Sequence, residues 1–593
     1  MPYSLKPQLS ADQRSAFAGG LASVSDTVAH LLFHRGITDS AAADEFLSPD
    51  YENGTHDPFL LKDAEKAAAR IILAVKNGQK IAVYADYDAD GIPGAALFHD
   101  FFTRIGYANF VIYIPHRHDE GFGVNVEAVQ TLADQGVNLM ITLDCGITDV
   151  VPITAAVKKG IDVIITDHHE PPAVLPPAVA IVDHKQSDCA YPDKNICGTG
   201  VAYKLIQAIL KQERFGLKEG MEKWLLDLVG MATLSDMVPL IGENRIFAYY
   251  GLNVLRKTPR KGLVQLLSKL KINQKYLTED DIGFMISPRI NAASRMGVPR
   301  DAFDLLVADN DEKAYKAAEH LDTINNERKG IVAALVKDIK KKVVTRYGSE
   351  IPRVIVLGNP DWRPSLLGLA ANSCAEEFNR PVFLWGRDGD DMIKGSCRSE
   401  GMSSVVALMR AAHLQTFSQY GGHHHSGGFA VGNDEVHFLE KRLNDAAEAI
   451  EQARIDSTNV STSGNDGSAL ENGTSASGAL IDLELTLDQI TWVLEKDIAQ
   501  LAPFGVGNPK PLFLLRKIIP SSIRQFGKAN DHVELIFNKR NGDKIPAISF
   551  FGATSDWNNK LKVNQPLDLI ASIEKSMFRG RAELRLRVVE VVV

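Results

Sequence analysis

Residues 81–91, IAVYADYDADG, carry an apolar run that ends in three carboxylates at alternate positions, Asp86, Asp88 and Asp90, closed by Gly91. In extended chain, alternate side chains share one face. Two unit charges about 4 Å apart repel by roughly 4 kcal/mol at an effective dielectric of 20, so the cluster needs solvent or a cation. A solvated acidic turn meets that need. An EF-hand loop fits less well: D-x-D-x-D-G opens one, but the twelfth position is Leu97 where glutamate is required, and the preceding run reads as strand. A divalent-metal site at a strand end is the third reading, and it requires more ligands.

The next 150 or so residues contain them. From Lys80 to about residue 205, the runs KIAVYAD, FVIYIP, LMITLD, DVIITD and VAIVD alternate with helical stretches such as GAALFHDFFTRIG. That pattern predicts βαβ units and a parallel sheet buried on both faces. Ligands of such sheets sit beyond the carboxyl ends of the strands. Three strands end in acid: Asp86, Asp144 and Asp167, the last followed at once by His168 and His169. The apolar helix WLLDLVGMATLSD (224–236) delivers Asp236, which alone would read as a cap or turn residue. Together these residues form a two-metal set. Carboxylates suit magnesium or manganese, and imidazole leans the choice towards manganese. Two ions roughly 3.5–4 Å apart clamp the attacking and leaving oxygens of a phosphodiester. No Walker loop or Ser-His-Asp arrangement competes.

Other stretches are polar turns with two readings. ISPRINAASRMGVP (286–299) groups Arg289, Asn291 and Arg295, either as surface polarity or as phosphate contacts suited to arginine's planar fork. KGSCRSE (394–400) and GGHHHSGGFAV (421–431) place glycine beside Ser, Arg and His, which lets backbone N–H groups approach an anion closely.

At 593 residues, with 45% hydrophobic and 23% charged residues, the chain is expected to hold several globular domains. Residues 1–75 read as short helices without chemistry. Residues 311–346 form one long helical pattern, expected to connect domains. A second α/β unit follows. Residues 455–478 are Ser/Thr/Gly/Asn-rich and read as a flexible linker or insertion. From residue 479, short strands predict a small barrel or sandwich, and KSMFRGRAELRLR mixes arginine with an aromatic, as single-strand-binding OB-folds do. No apolar run reaches the roughly 18 residues that span a bilayer, and the N-terminus lacks a signal-peptide core, so a cytoplasmic location without membrane contact is expected. Five cysteines without a C-x-x-C pair argue against a disulfide framework and structural zinc. The net charge of −9 is unfavourable for a nucleic-acid enzyme, but bound divalent ions offset part of it, and local patches matter more.

In order, VYADYDADG, IPHRHDEGFGVN, TLDCG, TDHHEPP, SDMVPLIGENR, SPRINAASRMG, KGSCRSE, GGHHHSGGF and PFGVGNPKP make the chain similar to the DHH phosphoesterase superfamily. Within it, the sequence resembles the RecJ-type single-strand-specific exonucleases over nearly its full length. The resemblance implies an α/β DHH parallel-sheet domain joined by a long helix to a DHHA1-type α/β domain, with a C-terminal OB-like β-barrel. The expected divisions are an N-terminal helical extension (1–75), the DHH catalytic domain (76–265), a helical connector (266–346), the DHHA1-type domain (347–450), a linker or insertion (451–478) and the OB-like domain (479–593).

It further implies a metal-dependent 5′-to-3′ exonuclease that degrades single-stranded DNA to nucleoside 5′-monophosphates in repair and recombination, using two Mn2+ or Mg2+ ions. Carried over by motif, the metal-site residues are Asp86, Asp88, Asp90, Asp144, His168 and Asp236, with Asp144 bridging. His169 is expected as ligand or transition-state donor, and His423 as a histidine facing the scissile phosphate. Arg117, Arg289, Asn291, Arg295, Ser396, Arg398 and Ser399 are the expected strand and 5′-phosphate contacts. Single-strand-binding protein and a RecQ-type helicase are implied partners of a monomeric enzyme. Related readings are a DHH phosphodiesterase acting on short oligoribonucleotides or cyclic dinucleotides, and an inactive replication scaffold. The chain departs from the family pattern at Ile92-Pro93-Gly94, at Ser294, at VDHK (182–185) and in WRPSLLGLAA, which bears on the shape of the phosphate loop more than on the ligands.

Overall fold

The computed structural model describes residues 3–18, 24–387, 393–401, 404–422, 424–460, 479–527, 530–577 and 582–592, with backbone alone at 454–460 and 479. The catalytic sheet has five parallel strands: β1 (Ile81–Ala85), β2 (Phe110–Tyr113), β3 (Leu139–Leu143), β4 (Asp162–Thr166) and β5 (Ala180–Val182), in the order β2-β1-β3-β4-β5. Every residue of β1 and β3 is buried, because helices cover both faces, and this is why these strands read as unbroken apolar runs. The carboxyl ends of β1, β3 and β4 therefore bring Asp86, Asp144 and Asp167 to one rim.

Helix α1 (Gly91–Arg104) starts directly from the aspartate loop. Ile92-Pro93-Gly94 is its first turn, where proline costs no intrahelical hydrogen bond, and Ile92 N still donates to Asp88 O at 3.0 Å. The departure from the family pattern is thus accommodated in regular helix. Helices α2 (Gly198–Gln212), α3 (Leu226–Ser235) and α4 (Gly242–Leu255) cover one face of the sheet.

The segment expected as a connector from residue 266 divides. Leu277, Ile282, Ile290 and Phe303 are buried in the catalytic core, including α5 (Ser287–Met296). Only α6 (Asp311–Tyr347, 37 residues) spans the domains, over about 55 Å at 1.5 Å per residue. Its Ala318 and Leu321 enter the catalytic core, whereas Leu335, Ile339 and Val343 enter that of the second domain. The second domain carries β6 (Ile355–Gly358), β7 (Val382–Arg387), β8 (Ile393–Arg398), β9 (Gln419–Gly422) and β10 (Ser426–Val431) in the order β9-β10-β8-β7-β6, with only β6 and β7 parallel.

The C-terminal domain is a seven-stranded sheet built between Leu483 and Val592. Residues 1–75 do not form one extension. Tyr3–Leu5 pairs in parallel with Ala479–Ile481, and Leu9, Phe17, Val28, Leu31 and Leu32 pack into the C-terminal core beside Phe513 and Leu535. Tyr51, Leu61 and Ala64 instead join the catalytic core. Helical periodicity shows that a face is buried, not against what, so this division was not legible in sequence. Among the described residues no helix is long and apolar enough to cross a membrane. His423 and most of the 455–478 stretch lie outside the described residues.

Candidate functional site

The rim of the catalytic sheet gathers three groups of side chains whose potential ligand atoms lie within 4.8 Å of one another: Asp86, Asp88 and Asp144; Asp90, His168 and Asp236; and Asp144, His168 and His169. Asp144 and His168 each belong to two groups, so the three merge into one centre. The centre is anchored by backbone. Asp88 Oδ1 accepts from the N–H groups of Asp90 and Gly91, at 2.7 and 3.1 Å. Asp90 is cradled by the N-terminus of α2: Gly198 N donates to Oδ2 at 2.6 Å and Thr199 N to Oδ1 at 2.8 Å, a geometry that favours an anion. A Cβ on Gly198 would lie 2.6 Å from Asp144 Cβ, so only glycine lets the helix approach.

The electrostatics describe a place that lacks positive charge. Burial, and then Asp88, pushes the Asp86 carboxyl well above the carboxylate range. Burial, with Asp90 and Asp88 next, does the same to Asp144. Burial with Asp88 lifts Asp90 to about 6, and burial with Asp90 lifts Asp236 to about 9. His168 is pushed down to about 3 by burial and by His169, leaving a neutral imidazole. Asp86 Oδ1 and Asp144 Oδ1 are buried without a hydrogen-bond partner. His168 Nε2 lies 3.0 Å from Asp144 Oδ1, out of line for a hydrogen bond but suited to two atoms aimed at a common third. Hard carboxylate oxygens with one or two imidazoles are the donor set of Mn2+ or Mg2+, so the residues fit those ions.

Asp167 is not itself a member of these groups but braces one of them. Its Oδ2 accepts from Ile147 N at 2.9 Å, and its Oδ1 accepts from His168 N at 2.7 Å and from His169 Nδ1 at 2.7 Å. Burial opposes charge on His169, but the hydrogen bond to Asp167, together with the charges of Asp167, Asp86 and Asp236, outweighs it and raises the imidazole to about 9. The first residue of the D-H-H triplet thus orients the third.

The residues expected at the phosphate separate into two sets. Arg295 is half-buried, and desolvation with Arg117, Arg328 and Arg398 pushes its guanidinium down to about 9. Its Nη1 donates to Ser365 O at 3.0 Å. Arg398 lies on β8, its guanidinium alongside Ser396. Ser399 Oγ is buried without a partner. Arg117 lies over the Tyr87 ring at 4.9 Å. These arginines repel one another unless an anion joins them. Arg289, by contrast, is committed elsewhere: Nε and Nη2 donate to Asp322 Oδ1 at 3.0 and 2.8 Å and Nη1 to Met285 O at 2.6 Å. Its fork ties α5 to α6 and is not free for a phosphate. Asn291 is likewise redirected, its Oδ1 accepting from Ala89 N at 2.9 Å, which braces the aspartate loop.

With this geometry in place, three family models match: the DHH family N-terminal domain at residues 80–233, the DHHA1 domain at 351–454 and the RecJ OB domain at 481–590. The single-stranded-DNA-specific exonuclease RecJ of Bacillus subtilis (strain 168) is 32% identical over 580 residues, 94% of this chain and 70% of that protein. The chain belongs to the RecJ family. The RecJ of Haemophilus influenzae is 30% identical over 90% of this chain and 91% of its own. The crystal structure of RecJ in complex with Mn2+ from Thermus thermophilus superposes with a TM-score of 0.78 at 26% identity, covering 99% of this chain and 79% of that one.

In this RecJ-family chain, sequence reasoning missed Asp167 as an orienting group, the Gly198-Thr199 cradle and Arg328. Only the G-T-G run at 198–200 offered a signal, as glycine at a helix start beside an anion. Arg328 sits on the polar face of α6 and is indistinguishable there from a solvated arginine.

Proposed function

We propose that the chain is a metal-dependent exonuclease that removes nucleoside 5′-monophosphates from the 5′ end of single-stranded DNA. The observation that carries this reading is the merged centre around Asp144 and His168, placed beside a set of mutually repelling arginines. Asp86, Asp88, Asp90, Asp144, His168 and Asp236 would hold two Mn2+ or Mg2+ ions, with Asp144 shared between them. Such ions supply positive charge at the phosphate and lower the pKa of an attacking water.

The chain's own side chains supply the rest. His169 Nδ1–H is engaged by Asp167, so the protonated ring presents Nε2–H to a phosphate oxygen as charge develops there. Arg117, Arg295 and Arg398, with Arg328, Ser396 and Ser399, receive the terminal 5′ phosphate and set the polarity. Asn291 keeps the aspartate loop in place. His423, from the second domain, is the further donor this reading expects at the scissile phosphate. The C-terminal domain grips the strand behind the site. The protein would act as a monomer in the cytoplasm, with single-strand-binding protein and a RecQ-type helicase as the partners the family suggests.

The test is a digest of a 5′-labelled single strand, its 3′-labelled twin and a blunt duplex, with Mn2+ or Mg2+. Labelled mononucleotide should appear at once from the first, late from the second and hardly from the third. Asp144→Ala should abolish cleavage and leave strand binding. Immediate release from the 3′-labelled strand, or cleavage by Asp144→Ala, would overturn the reading.

A further inference from the structure

Asp236 is held differently from the other acids of the metal centre. Asp88 and Asp90 accept hydrogen bonds from backbone N–H groups, and Asp86 and Asp144 follow directly on buried strands. The Asp236 carboxylate faces His168 Nδ1 at 3.8 Å but accepts no hydrogen bond among the described residues. It heads the loop 236–241 between α3 and α4, and Met237 after it has a φ of +60°. The direction of its oxygens is therefore set by that loop.

The loop has little support of its own. Met237 and Ile241 are exposed, and Leu240 is the one side chain from 236 to 241 that is buried. Its cover comes from the C-terminal domain. Leu240 N donates to Val506 O at 2.7 Å, and a Cβ on Gly505 would lie 2.8 Å from Leu240 Cδ1. A tight turn presents Val506: Gly505 N donates to Asn508 O at 2.9 Å and Asn508 N to Gly505 O at 3.1 Å. Asn508 is fully buried, and its Nδ2 donates to Leu501 O at 2.8 Å and to Pro503 O at 2.9 Å. From α4, the buried Arg245 reaches the same segment: Nη1 donates to Leu501 O at 3.0 Å and Nη2 to Ala502 O at 3.1 Å. The stretches PLIGENR and PFGVGNPKP, distant in sequence, thus meet on the loop that carries Asp236. A buried guanidinium and a buried amide, both engaged by carbonyls, make this contact directional.

We propose that residues 501–508 of the C-terminal domain are a positioning element for Asp236, so that the metal centre reaches full affinity only when that domain is docked. This rests on the two-ion reading above. Asp236 groups with Asp90 and His168, whereas Asp86, Asp88 and Asp144 form a group of their own. Loosening the segment should therefore weaken one ion and spare the other. By linkage, an occupied centre favours the docked domain in return.

The experiment is a Mn2+ titration of the full chain without DNA, using wild type, Asn508→Ala, Arg245→Met, Asp236→Ala and the two double variants that combine Asp236→Ala with each of the others. Thermal melts confirm that each chain is folded. Asn508→Ala removes hydrogen bonds within the C-terminal segment only, so the catalytic domain keeps its own core. Groups that orient metal ligands are worth about 10- to 100-fold in affinity. Asn508→Ala and Arg245→Met should each weaken one of the two ions by that factor and leave the other unchanged. Each double variant should bind no more weakly than Asp236→Ala alone, because the segment acts through that carboxylate. Contacts that only glue the domains together would lower Tm and leave both affinities alone. Wild-type affinity for both ions in folded Asn508→Ala and Arg245→Met, equal weakening of both ions, or a further loss in the double variants would overturn the proposal and leave the two-ion reading intact. A wild type that does not bind two ions would remove both.

Discussion

The backbone N–H of Gly198 donates to Asp90 Oδ2 at 2.6 Å, although 108 residues separate the two. The same glycine leaves no space for a Cβ beside Asp144. Gly198→Ala must move α2 or Asp144, and a misplacement near 1 Å costs on the order of 100-fold in rate. Loss of Mn2+ affinity by titration, with strand binding kept, is the expected outcome. Wild-type turnover in Gly198→Ala would show that the close approach is dispensable.

Asp167 acts through His169 and is not itself among the ligand groups. Asp167→Asn keeps the size and one acceptor but removes the charge that holds the imidazolium. Outer-shell partners of this kind are worth about 10- to 100-fold, and the loss should fall on kcat, with KM for the strand unchanged. Steady-state kinetics on a 5′-phosphorylated single strand measure this directly. A change confined to KM would contradict the assignment.

Arg289 and Arg398 should part company. The Arg289–Asp322 pair is buried, with the arginine side chain 4% exposed, and breaking such a pair costs about 3–5 kcal/mol. Arg289→Met should lower Tm sharply yet leave the enzyme's preference for a 5′-phosphate over a 5′-hydroxyl intact. Arg398→Met should do the reverse, losing that preference at near-normal Tm. Thermal melts and paired digests separate the two.

His30 predicts an acid weakness far from the metal centre. Its Nε2 donates to Asp482 O at 2.8 Å and Nδ1 has no partner, where the N-terminal helices meet the C-terminal domain. Burial holds the imidazole below its ordinary 6.5, so it is neutral in the fold. A group whose folded pKa is depressed contributes its full stability above the unfolded value and loses it as pH falls from about 6.5 through the folded value. Limited proteolysis should therefore release the 3–47 segment faster at pH 5.5 than at pH 7.5, and His30→Gln should flatten the difference. An unchanged difference in that variant would rule out His30 as its source.

How far the sequence reveals this molecule depends on the kind of signal. Asp86, Asp144 and the D-H-H triplet are legible because a buried parallel strand is an apolar run, and a run that ends in acid marks the rim of the sheet. α6 is legible at both ends because its periodicity runs unbroken from residue 311 to 346. Which of three adjacent polar side chains turns inward is not: Asp167 and His168 differ by one position, yet only the second joins the ligand cluster. Nor can composition separate Arg289, paired with Asp322, from Arg295 and Arg328, which have no ion pair of that kind among the described residues. That distinction is made by contacts distant in sequence. The parallel pairing of Tyr3–Leu5 with Ala479–Ile481 has the same character, since two short strands hundreds of residues apart leave no local trace of each other.

The central claim is that Asp86, Asp88, Asp90, Asp144, His168 and Asp236 form one centre for a pair of divalent ions. Its most direct test is the stoichiometry of Mn2+ bound to the full chain, followed by electron paramagnetic resonance. Wild type should bind two ions per chain whose spins couple to each other, and Asp144→Ala should lose that coupling along with at least one ion. A single uncoupled Mn2+ per chain, or coupling that survives Asp144→Ala, would contradict the account.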